Sequence, residues 1–304
     1  MVMKIIIFGG AGFLGSHTAD VLSDLGHEVT IFDKEFSRHL QGTQKMIVGN
    51  ILDDKAVNAA VRGMEVVYNF SAVADLDHAR LNPVETANVN VIGNLKILEA
   101  AKNAKVKRFV FSSSIYVYSD MGSFYRSSKQ ACELYIENYQ QEYGLDYTIL
   151  RYGSLYGPRA DENNWIQRIL KQALIERKIT RQGNGEEIRE YIHVRDAACL
   201  SVDILDEKYR NRHIIISGNE QIKIKDFLIM IKEIFKNQIE VEYISVEDSI
   251  HYEITPYVFI PKMAHKLKNN EHIDLGQGIL EILNDLHRKH LNKKNNADIV
   301  IKTN

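Results

Sequence analysis

Short apolar runs recur along the chain at 4–8, 28–32, 45–48, 65–70, 107–112 and 146–151, each bounded by polar or glycine residues. Runs this short and rich in β-branched side chains predict strands buried on both faces. Between them apolar positions recur at helical spacing, most clearly over 84–104 and 124–143. Such alternation predicts the α/β class: a Rossmann-type, doubly wound parallel sheet, with ligands beyond the carboxyl ends of its strands. After about residue 152 the pattern loosens around Asn163-Asn164 and the turn GNG at 183–185, and RHIII at 212–216 reads as a return to the sheet. We expect a first domain over 1–152, rejoined by about 190–217. A smaller C-terminal α/β substrate lobe should fill 153–295, and 296–304 should form a tail.

The first run feeds directly into glycines at 9, 10, 12 and 15. A strand, a glycine turn and then a helix over Phe13 to Leu25 make a phosphate site. Glycine permits the reversal and the close backbone approach, and the helix start offers free N–H groups to negative charge. Glycine turns of this kind are common on their own. Here a second strand also ends on Asp33, where a carboxylate is expected to bind the adenosine ribose hydroxyls. Together these features predict a dinucleotide site. Asp33 disfavours a 2′-phosphate and so points to NAD, although Lys34 beside it softens that exclusion.

Composition narrows the partners. With 38 basic and 40 acidic residues in 304, no global field draws nucleic acid or an anionic membrane. The basic stretch HRKHLNKK at 287–294 reads as the solvated end of a helix. No apolar run reaches membrane-spanning length, and the first one is a strand rather than a signal peptide. Cys132 and Cys199 have neither metal nor disulfide spacing, which fits a reducing cytoplasm; no metal site is expected.

The fifth run ends in Ser112, Ser113 and Ser114, at the ligand edge of the expected sheet. Ten residues separate Ser114 from Tyr125, and Lys129 follows four further on. That spacing puts phenol and ammonium on one helical face. A tyrosine base at pH 7 needs its pKa lowered by about two to three units, roughly 3–4 kcal/mol. One cation at ~4 Å supplies about that much at an intermediate dielectric, so Lys129 alone is expected to suffice. With 15 tyrosines in the chain, chance alone often yields a Tyr-x-x-x-Lys pair; its place after the fifth strand gives this one weight.

The ordered motifs GGAGFLG, FSSSIYVY, YRSSK, LRYGSLYGPR and REYIHVRD resemble those of the extended short-chain dehydrogenase/reductase family, in particular its UDP-galactose 4-epimerase-like members, over about residues 3–290. The resemblance implies NAD bound by Gly9, Gly12, Phe13, Leu14 and Gly15, with Asp33 on the ribose and Asn50 and Ile51 at the adenine. It also implies that Phe70, Ser71, Ala72, Val73, Asn90, Ser112 and Tyr152 line the cofactor. Ser114, Tyr125 and Lys129 match the catalytic set, and Arg189 matches a ligand of the substrate phosphates. A homodimer through a four-helix bundle is implied, with Val91, Leu95, Leu98 and Ala101 facing Ala131, Leu134, Tyr135 and Asn138. So is a place in polysaccharide biosynthesis.

The departures bear on the substrate. Gly153 and Ser154 stand where the family has Phe-Asn, so Ser154 replaces a longer amide. The stretch between Ser114 and Tyr125 is shorter than the family's, which implies a more open pocket. ADLDHAR at 74–80 sets Asp75, Asp77 and His78 in an expected loop. Asp75 is a candidate sugar contact there, set against plain surface polarity. The reading is NAD-dependent oxidation at C4 of a nucleotide-activated sugar, ending in epimerisation or in release of the keto sugar. A 4,6-dehydratase is disfavoured because Ile115 and Tyr116 follow Ser114 where that subgroup carries an acid and a base. Asp33 disfavours an NADPH-dependent reductase. The intact tyrosine–lysine pair disfavours a cofactor-sensing protein without catalysis.

Overall fold

The structure, a computed structural model, describes residues 2–244, 265–267 and 272–301. From the N-terminus, β1 (Lys4–Phe8) leads to α1 (Phe13–Asp24), β2 (Glu28–Asp33), β3 (Lys45–Val48), α2 (Asp54–Val61) and β4 (Val66–Asn69). Two short helices, α3 (Leu76–Leu81) and α4 (Pro83–Thr86), precede a π-helical turn at Ala87–Ile92 and α5 (Gly93–Asn103). Then come β5 (Arg108–Ser114), a 3-10 turn at Ile115–Tyr118, α6 (Ser123–Tyr143) and β6 (Tyr147–Tyr152). These strands join later ones in an eight-stranded sheet.

The second half contains β7 (Ser154–Tyr156), α7 (Trp165–Glu176), β8 (Lys178–Gln182), β9 (Ile188–His193) and α8 (Val194–Asp203). It continues through β10 (Arg212–Ile216), β11 (Gln221–Lys223), α9 (Ile224–Ile234), β12 (Glu240–Ile244), β13 (His265–Lys266) and α10 (Leu275–Ile301). The large sheet runs β3-β2-β1-β4-β5-β6-β10-β13, with every neighbour pair parallel. Strand order therefore reverses between β1 and β4. In a sheet of this kind a ligand crevice is expected there, beyond the carboxyl ends, where the glycine turn and the loop after β4 lie.

Alternation along β1 explains the two layers. Ile5 and Ile7 pack with Leu14, Ala19 and Leu22 of α1 and with Ala197 and Leu200 of α8. Ile6 and Phe8 pack on the other face with Val57 of α2, Ile97 and Leu98 of α5, and Cys132 and Ile136 of α6. All four β1 side chains are fully buried. Their removal from water contributes roughly 6–12 kcal/mol, comparable to the whole net stability of a domain. A third core joins Tyr156, Ile166, Leu170, Phe227, Ile231 and Ile279 beneath the small sheets β11-β9-β7 and β12-β8. Among the described residues no helix is long and apolar enough to cross a membrane.

Three local expectations change. The helix expected over 84–104 forms but is not uniformly α: a π-helical turn over Ala87–Ile92, which carries Asn90, widens it. The segment 74–80 is not a plain loop. Asp75 caps α3 by accepting from the His78 amide at 2.7 Å, which accounts for an acid at that place. Finally, α10 continues to Ile301, into the stretch expected as a tail.

Two buried histidines sit where α1 meets the second half of the chain. His17 Nε2 donates to the Pro158 carbonyl at 2.9 Å, and His193 Nε2 lies 3.4 Å from Glu281 of α10. Burial, helped by nearby Arg159 for His17 and Arg195 for His193, lowers both to about 4. The unfolded chain then binds protons near 6.5 that the folded chain refuses until about 4. Stability is therefore complete above pH 6.5 and falls as pH drops toward 4, by about 3 kcal/mol per histidine. Tm should be several degrees lower at pH 5 than at pH 7.5, and His17→Gln should flatten that dependence. Equal Tm values at the two pH values would contradict this account.

Candidate active site

The glycine turn forms the base of the crevice. Gly9 takes a positive φ of 76°, and a Cβ there would meet the Ser71 amide at 2.6 Å. A Cβ at Gly15 would lie 2.2 Å from the Gly9 carbonyl, so α1 starts close against the turn only because residue 15 has no side chain. Gly12, at the N-cap, supplies no capping side chain, leaving the first amides of α1, at Phe13 and Leu14, open to an anion. Asp33 ends β2 and accepts from the Ala11 amide at 3.0 Å and from the Lys34 amide at 2.7 Å. Its carboxylate thus sits beside the turn, as the ribose role requires.

The opposite wall follows β4. Phe70, Ser71, Ala72 and Val73 are half-buried, with the Ser71 amide held by Asn69 Oδ1 at 3.1 Å. Asn90 clamps this wall. Its Oδ1 accepts from the Val73 amide at 2.7 Å, while its Nδ2 donates to the Val73 carbonyl and to Ser128 Oγ. Its side-chain polar atoms are thus engaged with the wall and with α6. Asn50 is exposed and accepts from the Leu52 amide; Ile51 is buried beneath Gly93.

Ser114, the last residue of β5, shares a hydrogen bond with Tyr125 from the first turns of α6. One turn further along α6, Lys129 is 2% exposed. Its ammonium donates to the Ser112 carbonyl at 2.6 Å, lies 4.8 Å from the Phe111 ring centre and 5.6 Å from that of Tyr125. Strand and helix therefore bring the three side chains to one point at the sheet edge. Burial pushes the Tyr125 phenol up to about 12, against the lowering effect of the Ser114 bond. Burial likewise lowers the Lys129 ammonium to about 8, partly offset by nearby Cys132 and Glu133.

These values correct the expectation that Lys129 alone activates the tyrosine. Reaching neutrality from about 12 needs some five units, or about 7 kcal/mol. The Lys129 ammonium, 5.6 Å from the Tyr125 ring centre, opposes the upward shift through its positive charge. Burial therefore works against the phenolate, and Lys129 works for it.

Comparison with known proteins now identifies the arrangement. The sequence profile of the NAD dependent epimerase/dehydratase family matches residues 5–217. The chain belongs to this family. It is 28% identical over 303 residues, 92% of this chain and 97% of the other, to a Methanocaldococcus jannaschii protein provisionally assigned as a UDP-glucose 4-epimerase. It is 31% identical over 249 residues, 73% of this chain and 77% of the other, to a UDP-N-acetyl-alpha-D-glucosaminuronate decarboxylase of Bacillus cytotoxicus. Among solved structures, the UDP-glucose 4-epimerase of Thermotoga maritima with UDP-glucose superposes with a TM-score of 0.82 at 25% identity, covering 95% of this chain and all of that one. As a family member the protein is NAD-dependent, and the glycine turn, the Asp33 carboxylate and the braced wall fit that cofactor.

Other candidates of this epimerase/dehydratase chain lie differently. Tyr152 does not reach the crevice as a free aromatic: it is buried in the core, with its ring against Phe70 and its hydroxyl 2.5 Å from Ser201 Oγ of α8. Arg189 of β9 is buried, with Nη1 donating to the Ile188 carbonyl. Ser154 opens β7 in register with Tyr191. Asp75 is engaged as the α3 cap, and His78 lies 3.0 Å from Glu85.

Sequence reading missed the ionic group behind Ser114, Tyr125 and Lys129. Glu133 accepts from Arg151 Nε at 3.0 Å and Nη2 at 2.6 Å, and its Oε1 also accepts from Ser113 Oγ at 2.5 Å. Arg151 Nη1 donates to Tyr118 Oη at 2.6 Å. The available signal was an arginine inside the apolar run TILRY, which only a buried partner explains.

Gly15→Ala should lower Tm by several degrees, through a strain of about 1–3 kcal/mol, and weaken NAD binding roughly ten- to hundredfold as the turn shifts to relieve it. Calorimetric titration with NAD checks this; an unchanged affinity would contradict the proposed seat of the pyrophosphate.

Proposed function

We propose that this protein is a nucleotide-sugar 4-epimerase, with UDP-hexoses the first substrates to try. The observation that carries the reading is the joined set of Ser114, Tyr125 and Lys129 at the end of β5, across the crevice from the glycine turn. NAD, when bound, accepts and returns a hydride and brings a second positive charge beside Tyr125. Tyr125 takes the proton of the C4 hydroxyl, and Ser114 aligns that hydroxyl by hydrogen bonding. Lys129 holds its positive charge next to the phenolate while the Ser112 carbonyl fixes its position. Turning the keto sugar over and returning hydride to the other face completes epimerisation.

The names of the relatives support this reading and the use of a UDP-sugar. An elimination is disfavoured on geometry. Ile115 is buried, and Tyr116 presents its ring to Tyr125 at 6.4 Å, so neither position offers an acid–base pair. The short connection from Ser114 to Tyr125 favours one second reading, in which a less enclosed keto sugar leaves the site and the reaction is a net 4-dehydrogenation. We assign the sugar nucleotide to the lobe formed after residue 152, with Ser154 and Arg189 nearest its phosphates. Two free cysteines fit work in the cytoplasm.

We further propose a homodimer through α5 and α6. Leu134 (61% exposed) and Tyr135 (43%) lie outward on α6, in line with Ala131 and Asn138. On the α5 side Leu98 and Ala101 instead face the sheet, fully buried. The outward positions there are Ile92 and the half-buried Val91 and Leu95. Light scattering at micromolar concentration should give a dimer, and Leu134→Glu a monomer; a monomeric unmodified protein would refute this.

Purified protein should release NAD on denaturation and interconvert UDP-glucose and UDP-galactose or their N-acetyl counterparts. Turnover should fall roughly 10²–10⁴-fold in Tyr125→Phe with NAD still bound. It should also fall on the alkaline side near pH 8, where Lys129 loses its proton. Accumulation of NADH with free keto sugar would select the dehydrogenase reading. Carbon dioxide released from a UDP-uronate, with no epimer, would replace both.

A further inference from the structure

Arg151 is the largest fully buried side chain among the described residues, 1% exposed, and Glu133 is 5% exposed. Burial opposes the charge on Arg151, yet its paired bonds to Glu133 and its contact with Tyr118 raise its pKa overall. A buried ion pair of this kind is weak evidence for stability, since apolar side chains of similar volume fill such space as well. What sets this pair apart is what it joins. Arg151 on β6 is in register with Ser113 on β5, the neighbour of Ser114. Ser113 donates to the same Glu133 oxygen that Arg151 Nε reaches. Glu133 lies one turn beyond Lys129 on α6. Tyr118, held by Arg151 Nη1 at 2.6 Å with the guanidinium 4.7 Å from its ring centre, belongs to the short connection between Ser114 and Tyr125.

We propose that Glu133, Arg151 and Tyr118 are positioning residues. They keep Ser114, Tyr125 and Lys129 in register across a connection too short to brace itself, and Glu133 supplies the negative charge that faces Lys129. The proposal rests on the proton-transfer reading above. The groups around Lys129 are Tyr125, Cys132 and Glu133 on its own helix and the Phe111 ring and Ser112 carbonyl on β5. Beyond Glu133 stand Arg151, Glu137 and His213, the last with Nε2 3.0 Å from Glu137 and 3.9 Å from Glu133. Of these, Glu133 is the carboxylate that favours the Lys129 ammonium, so its removal should let Lys129 lose its proton at lower pH.

The test uses the NAD-bound protein with variants at Glu133 and Tyr118, and Lys129→Met for assignment. Glu133→Gln should lower kcat roughly ten- to hundredfold with KM within about twofold, since misalignment of about 1 Å costs on that order. Its alkaline limb should move to lower pH. So should the titration midpoint of Lys129, followed by NMR of 13Cε-labelled lysine and assigned through its loss in Lys129→Met. Glu133→Asp should restore part of both. Tyr118→Phe, which removes one peripheral hydrogen bond and keeps the ring, should lower kcat severalfold with no movement of the limb, and it tests the brace if Glu133→Gln fails to fold. A Glu133→Gln protein that loses activity while the limb and the Lys129 midpoint stay put would show a merely structural pair and overturn the proposal. Normal kcat in Tyr118→Phe would do the same. The Lys129 titration needs no sugar, so a protein that turns over no UDP-sugar would refute the functional reading and leave this measurement to decide on its own.

Discussion

Burial at the carboxyl end of β5 opposes charge on both members of the Tyr125–Lys129 pair. It raises the Tyr125 phenol to about 12 and lowers the Lys129 ammonium to about 8. Alone, the protein therefore holds a neutral tyrosine beside a lysine that keeps most of its charge at pH 7. In the proposed mechanism, oxidised cofactor adds a second positive charge beside the phenol. A sugar entering without it meets a phenol that keeps its proton.

The rest of the fold serves this arrangement. Parallel strands end together at one edge, the glycine turn after β1 leaves amides open, and Asn90 holds the wall after β4 to the helix that carries Tyr125 and Lys129. On the far side of that helix, Glu133 and Arg151 tie α6 to β5 and β6. Oxidation at C4 is a first step open to several sugar reactions. The outcome depends on what surrounds the keto sugar, and here the neighbours of Ser114 are an isoleucine and a tyrosine rather than an acid and a base.

Much of this was legible in the chain. Short β-branched runs marked the strands of the large sheet because central parallel strands are apolar on both faces. The four-residue spacing of Tyr125 and Lys129 predicted one helical face. Tertiary pairing was harder to read. Asn90 resembled a cofactor ligand, but its amide turned to Val73; Tyr152 sat at a strand end, but its ring entered the core. Asp75 looked like a loop acid until α3 made it a cap. The balance between burial and Coulomb attraction at Tyr125 depended on distances that spacing does not carry. Arg151 needed a partner that only packing could name.

The central claim is that hydride leaves C4 of a nucleotide sugar and returns to the same carbon while Tyr125 exchanges only the hydroxyl proton. Single-turnover incubation of the NAD-bound protein with UDP-glucose deuterated at C4, in ordinary water, tests it most directly. The account predicts a C4 epimer that keeps its deuterium, formed more slowly than from the unlabelled sugar. An epimer carrying solvent hydrogen at C4 would contradict it.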